Sequence, residues 1–450
     1  MPPKIALILC IIFIVYLFRI DIKRDSKVSY ALWIPLIWLL ITGSRPISLW
    51  LNLAPILDSP DDYLEGSPVD RALYFGLILA GLFILLKRKI LVVQFAKDNP
   101  WIFLYFLYGF ISILWSDYPL VSFKRWIKFA IGNSIMVLII LSEHYPLEAI
   151  KTLIRRCAYV LIPLSIVLYK YYPHLGRRYH SMSGKLTITG VSYSSNLLGT
   201  LCLICGFVLV WNLLSIWKER KISSDKKKIY AHILLLAMTF WLLWNADAAT
   251  SSLSLIAGMC VMLGLRMPAI RENIQSIGRF ITVIFFLFLP LIFLVDFSAF
   301  LSASVDVTGH SQTFWGRTQL WKELITMVPN PLTGVGFESF WLGDRIAKLW
   351  EKHWWRPTEA HNGYIEIYLN LGWIGLFLLA GFIVSAYGKI RRLLLSDFDY
   401  GRFQMGFFIM IILYNITEAA FKGIHLMFIF LLFIGIEYPR LHQKSLNEHD

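Results

Sequence analysis

His361 and Asn362 stand where a long polar stretch meets an apolar one. A histidine at such a boundary can take or give a proton near neutral pH. Asn362 is a residue type that caps the first turn of a helix. Asn362, Glu366 and Asn370 recur at i, i+4 and i+8. On a helix they form one polar stripe that enters the apolar segment from its outer end. Polar groups on a spanning helix normally face the bundle interior. His361 therefore heads an inward-facing stripe, and Glu366 within it is a second candidate for proton chemistry. The plain alternative is an interfacial histidine bonded to a lipid headgroup. Residue type alone leaves both open.

Cations are the second set of interest. A guanidinium binds phosphate oxygens in pairs, so arginine suits a pyrophosphate better than lysine does. Arg178 and Arg317 are the leading candidates, with Arg177, Arg125 and Lys124 behind them. Arg317 could instead cap loop structure. No aspartate pair or histidine cluster has metal-ligand spacing, so no metal or other cofactor is expected. If a pyrophosphate leaves, arginines must neutralise its charge. A further polar set, Asn415, Glu418 and Lys422, falls at i, i+3 and i+7 where the last two apolar segments meet. Glu418 and Lys422 would pair if the helix continued through them, and a structural salt bridge is the expectation.

These residues have to be held by elements that suit the composition. Apolar residues make up 57% of the chain and charged residues 16%, with mean hydropathy +0.61. A soluble domain carries roughly 25% charge. The pattern expects an all-α, polytopic transmembrane bundle. Candidate spans run near 4–18, 30–43, 71–86, 101–116, 126–141, 154–170, 195–216, 230–245, 249–264, 280–296, 362–388, 403–418 and 422–437. That is twelve or thirteen helices, the first and last pairs being short. The chain then divides into helices over 1–296, a long outer loop over 297–361, further helices over 362–437 and a tail over 438–450.

The net charge of +14 does not indicate nucleic acid, because the basic residues flank apolar segments. Lys and Arg concentrate in the loops near 19–29, 87–99, 142–156, 217–229, 265–279 and 389–402 and in the C-terminal tail. Those loops and the C-terminus are expected in the cytoplasm, and loop 297–361 outside. The N-terminal segment lacks a small-residue cleavage site and reads as a retained first helix. All five cysteines sit in apolar runs, where small hydrophobes are expected rather than disulfides.

Three outer segments are basic against this bias. They hold Lys124, Arg125 and Lys128; Arg177, Arg178 and Lys185; and Arg317, Lys322, Arg345, Lys348, Lys352 and Arg356. An anionic ligand at the outer face, or contact with lipid headgroups, would account for them. The long loop has helical spacing over 316–325, then a turn-rich segment with Pro329, Pro331, Gly334 and Gly336, then many aromatics. Gly372 and Gly375 are expected to let a neighbouring helix approach closely.

Three runs together resemble a known family. They are Arg317-x-x-x-Trp321; Pro331-x-x-Gly334-x-Gly336-Phe337; and His361-Asn362-x9-Gly372-x-x-Gly375. This composite is similar to the signature of the O-antigen ligase and exopolysaccharide polymerase superfamily, most strongly over 310–385. Leu114-Trp115-Ser116-Asp117-x-Pro119 and the stretch from Gly190 through Asn196 to Gly199 also look family-like. The resemblance implies about twelve helices in the bacterial inner membrane and an active site at the periplasmic face. It implies transfer of a glycan from undecaprenyl pyrophosphate to an acceptor hydroxyl, without metal. The partners would be the lipid-linked glycan donor, a glycan or lipid acceptor, membrane lipids and other polysaccharide assembly proteins. His361 would activate or position the acceptor hydroxyl, while Arg317 and one of Arg177 or Arg178 would clamp the pyrophosphate. One departure concerns the Arg-x10-Gly spacing of some polymerases. Ile188 and Thr189 stand where that glycine would fall.

The loop motifs lean towards a repeat-unit polymerase, with a ligase as the alternative. A transporter of lipid-linked glycan would want a repeat pair and paired broken helices, and neither is evident. An assembly scaffold would tolerate loss of His361 and Arg317.

Overall fold

A computed structural model describes residues 1–22, 28–53, 66–88, 92–179, 184, 186–219, 226–268 and 311–438. The expected span at 280–296, the start of the outer loop and nearly all of the tail lie outside the described residues.

The protein is an all-α polytopic bundle. Its principal helices are α1 (Pro3–Ile22), α2 (Trp33–Thr42), α3 (Pro68–Lys87), α4 (Pro100–Ile111) and α5 (Pro119–Trp126). α5 runs on without a break through Ile127–Gly132 and Asn133–Leu141. Then come α6 (Pro146–Tyr171), a hairpin of β1 (Arg177–Tyr179) and β2 (Leu186–Ile188), α7 (Ser195–Glu219), α8 (Lys226–Asn245) and α9 (Ala249–Gly264). The long loop contributes α10 (Ser311–Thr326) and α11 (Gly343–Lys352). The chain closes with α12 (Gly363–Ser396), α13 (Phe398–Thr417) and α14 (Leu426–Gly435). Each expected span among the described residues falls on one of these helices.

Local sequence sets several starts. Pro68, Pro100, Pro119 and Pro146 each open a helix, where a missing N–H costs nothing and φ is already helical. Five described helices, including α6, α7 and α12, are long and apolar enough to cross a membrane. α13 lies centrally, packed against α9, α12 and α14, while α7 packs on α8 and α9. At the other end of the bundle, buried Asp21 of α1 accepts from Arg155 Nε at 2.6 Å and Arg156 Nε at 2.9 Å, tying α1 to α6. Removing one partner of such a set would leave a buried charge uncompensated.

The described part of the long loop is folded. Leu320 and Leu324 of α10, Val335, Phe340, Ile346 and Leu349 bury against Ala360 and Leu369 in a small core of their own. That core carries the segment from α10 to His361 as one body on top of α12.

α12 is broken in the middle, and the break is what docks the loop. Gly372 has φ 63° and ψ −163°, a conformation that glycine alone adopts readily. Trp373 and Ile374 therefore cannot donate to Leu369 and Asn370 as a regular helix requires. They donate instead to the carbonyls of Pro331 and Leu332, at 3.0 and 3.1 Å. The freed carbonyls of Leu369 and Asn370 accept from Val335 and Gly336, at 3.2 and 2.9 Å. These four backbone groups of the break are thus paired, as burial demands. A Cβ on Gly334 would lie 2.5 Å from the Asn370 backbone. The expectation that Gly372 and Gly375 admit a neighbouring helix is corrected here. Gly372 admits the backbone of Leu332, and Gly375 makes room for Leu371 of its own helix.

Candidate active site

His361 is held from both sides of its own backbone. Ala360, just before it, donates its N–H to Glu366 Oε2 at 3.0 Å. Its carbonyl accepts from Trp321 Nε1 at 2.6 Å. Glu366 is itself fixed by Trp341 Nε1, which donates to Oε1 at 2.6 Å. On the other side, Asn362 caps α12 as its position suggests, its Oδ1 accepting from Tyr364 N and Ile365 N at 2.9 and 3.0 Å. Between these anchors His361 takes φ 50°. That left-handed conformation costs a non-glycine residue about 1–2 kcal/mol, and the cap alone contributes about 1 kcal/mol in return.

The same elements finish the end of α13. A helix leaves its last carbonyls without partners inside the helix. Asn362 Nδ2 donates to Ile416 O at 2.9 Å, and Arg317 donates to Thr417 O at 2.7 Å. Arg317 and Trp321 lie one turn apart on α10. One reaches the end of α13 and the other the residue before His361. The Arg-x-x-x-Trp spacing is therefore a two-point clamp around the histidine.

The side chains form an alternating line of charge. Lys422 Nζ lies 3.0 Å from Glu359 Oε2, and Glu359 Oε1 lies 3.1 Å from His361 Nδ1. His361 Nδ1 is also 3.5 Å from Glu418 Oε2, and Glu418 Oε1 lies 3.5 Å from Arg317. Asn196 Nδ2 donates to the same Glu418 oxygen at 2.9 Å. Burial alone would lower the His361 pKa. The Glu359 carboxylate, helped by Glu418, outweighs it and raises the imidazole to about 9. At neutral pH His361 is an imidazolium, and Nε2 is the nitrogen not engaged by these carboxylates. Glu359 is held well below the usual carboxylate range, its own burial being outweighed by Lys422 and His361.

Two expectations change. Glu418 does not pair with Lys422, because α13 ends at Thr417 and the following residues turn away. Lys422 pairs with Glu359 instead. The fold also assembles what spacing along the chain does not reveal. Donor atoms of Glu359, His361 and Glu418 lie within 4.8 Å of one another, close enough for a metal ion. Lys422 and Arg317 already balance the two carboxylates, so the group fits a salt-bridge array better than a cation site.

A cavity of about 260 Å³ opens beside this array, lined among others by Arg125, Glu338, Glu359, Glu366, Glu418, Lys422 and His425. Arg125 reaches it from α5 and donates to Glu338 O at 2.7 Å. Lys124, its neighbour, is exposed. Arg177 and Arg178 lie on β1 and do not line this cavity. Arg177 donates to Tyr169 O at 2.9 Å and covers the Tyr169 ring at 4.6 Å, while Arg178 is exposed. Sequence reasoning passed over Glu359 and His425 and gave Glu418 and Lys422 only a structural role. The one available signal was Glu359, two residues before His361.

Comparisons with known proteins give two likenesses. Residues 232–380 match the family described as O-antigen ligase. Both likenesses support a place for the chain in the O-antigen ligase and exopolysaccharide polymerase superfamily. The family match takes in Arg317, Trp321, Glu359, His361, Asn362, Glu366 and both glycines of the α12 break. It ends before Glu418, Lys422 and His425. Over 312 residues the chain is 26% identical to the exopolysaccharide production protein ExoQ of Rhizobium meliloti, covering 66% of this chain and 67% of that protein. The apolar helices and these likenesses together support a multi-pass membrane protein of O-antigen ligase or polymerase type.

Proposed function

We propose that the protein is a repeat-unit polymerase of exopolysaccharide or O-antigen type. It transfers glycan from undecaprenyl pyrophosphate to the hydroxyl of a second glycan at the periplasmic face of the inner membrane, with the C-terminus in the cytoplasm. The observation that carries this reading is the charge line Arg317–Glu418–His361–Glu359–Lys422 at the edge of a cavity. A departing pyrophosphate needs positive charge already in place, and such preorganised charge is commonly the largest catalytic term. Arg317 and His361 as imidazolium supply it at the cavity edge without a metal ion, each held by a carboxylate until a stronger anion arrives, while Lys422 balances Glu359.

In this reading His361 holds substrate oxygens through its Nε2–H and its charge. Its resting protonation favours that positioning role over the role of a base. Asn362 and Glu366 act through it, by fixing its backbone. The likeness to an exopolysaccharide production protein supports the polymerase over the ligase. The test is the glycan profile of a strain lacking the protein. Single repeat units on the lipid carrier are expected. Long chains stranded on that carrier would mean a ligase.

A further inference from the structure

The cavity wall carries a histidine that the charge line does not use. His425 precedes α14, and its Nδ1 accepts from the backbone N–H of Met427 at 3.2 Å. A ring nitrogen that accepts a hydrogen bond carries no proton, so the imidazole is neutral and its hydrogen is on Nε2. Burial acts in the same direction, pushing His425 down to about 4 against Glu359 and Glu418, which raise it, and with Lys422, which lowers it. His425 is therefore neither base nor acid at ordinary pH. It is a fixed N–H donor on the wall of a cavity, with no partner for Nε2 among the described residues.

The rest of the wall says what it could meet. Glu338, Glu359, Glu366 and Glu418 face two permanent cations, Arg125 and Lys422. Arg317 and His361 hold Glu418 and Glu359 from outside the cavity and Lys422 is paired with Glu359, so the wall offers a pyrophosphate little unbalanced positive charge. Its carboxylates are right for a polyhydroxyl ligand, because each carboxylate has about four acceptor positions and the bonds already made leave some open. The volume, about 260 Å³, is slightly below the roughly 300–1,000 Å³ of ordinary ligand pockets. That is room for one sugar ring rather than a chain. Tyr193 and Tyr414 add hydroxyl-bearing aromatic faces.

We propose that this cavity is a single-sugar subsite, in which glutamate carboxylates accept from sugar hydroxyls and His425 Nε2–H donates to a ring or hydroxyl oxygen. The proposal rests on the glycan-transfer reading above. It adds where one sugar of the substrate sits and which neutral residue selects it.

His425→Asn is the informative variant. Asparagine still caps α14 with its side-chain oxygen, but its shorter side chain cannot place an N–H where Nε2 stands. Purified protein would be assayed with the strain's own lipid-linked repeat unit. The free repeat-unit oligosaccharide, lacking lipid and pyrophosphate, would be followed by saturation-transfer NMR. The expected result is a loss of about tenfold in kcat/KM, the scale of one lost hydrogen bond, mainly through KM. Oligosaccharide binding should weaken, while Tm and the pH profile stay unchanged. Wild-type kcat/KM and binding in His425→Asn would overturn the subsite. If the variant also loses Tm, the wild type decides. Inorganic pyrophosphate displacing the oligosaccharide would overturn the proposal, and no displacement would uphold it. An inert His425→Asn beside an inactive His361→Ala would sink the subsite alone. Normal glycans from both would sink the transfer reading itself.

Discussion

The Nδ1 atom of His361 lies 3.1 Å from Oε1 of Glu359, two positions earlier in the chain. That short step back is possible because His361 adopts a left-handed backbone conformation between two pinned neighbours. It turns a histidine that composition would leave near neutrality into a standing cation.

A pH dependence follows from its sign. Folding raises His361 from 6.5 to about 9. The ion pairs it makes therefore contribute fully to stability below about 6.5 and are lost as pH rises through about 9. Transfer that uses the imidazolium should fall over the same upper range. A rate that climbs towards pH 9 would show that the neutral imidazole is the working form.

Glu418 stands between the two cations. It faces Arg317 with one oxygen and His361 with the other, and Asn196 steadies it from α7. Glu418→Gln keeps the shape and removes the charge. The alkaline limb of the pH–rate profile should move down by about one unit, as expected when an opposite charge a few ångströms away is lost. An unmoved limb would leave Glu418 with a packing role only.

Trp321→Phe removes the hydrogen bond to Ala360 O and little else. Its cost in stability should be about 1 kcal/mol. Activity should fall further than that, because a displacement of roughly 1 Å at a reacting group can cost about a hundredfold. Thermal unfolding and transfer rate, measured on the same preparation, separate the two effects.

Gly372→Ala tests the docking of the loop. A Cβ there would meet the Leu332 carbonyl at 2.3 Å, in a backbone conformation closed to alanine. Destabilisation of about 3 kcal/mol or more is expected, with the loop rather than the bundle failing first. Limited proteolysis would show cleavage within 327–342. Resistance equal to the wild type would contradict the docking account.

Much of this was legible in the chain. The apolar runs gave the helices, and Asn362 gave the start of α12. The composite motif gave the loop that carries Arg317. The site's carboxylates were less legible, because Glu359 and Glu418 come from segments far apart in sequence and meet only when α13 closes on the loop. The Glu418–Lys422 spacing misled because it presumes a helix through 422, and α13 stops at Thr417. The break at Gly372 was hidden because Gly-x-x-Gly in an apolar run reads equally well as a notch for helix packing. Arg177 and Arg178 show the reverse. Basic residues on a hairpin expected outside resemble a ligand clamp, yet Arg177 is engaged with Tyr169 and neither arginine lines the cavity.

The most direct measurement is the length of the glycans made by a strain whose only copy of the protein carries His361→Ala, with the variant's abundance in the membrane measured alongside. Single repeat units on the lipid carrier, at normal protein abundance, are the predicted result. Full-length chains from that strain would contradict the assignment of His361 to the site.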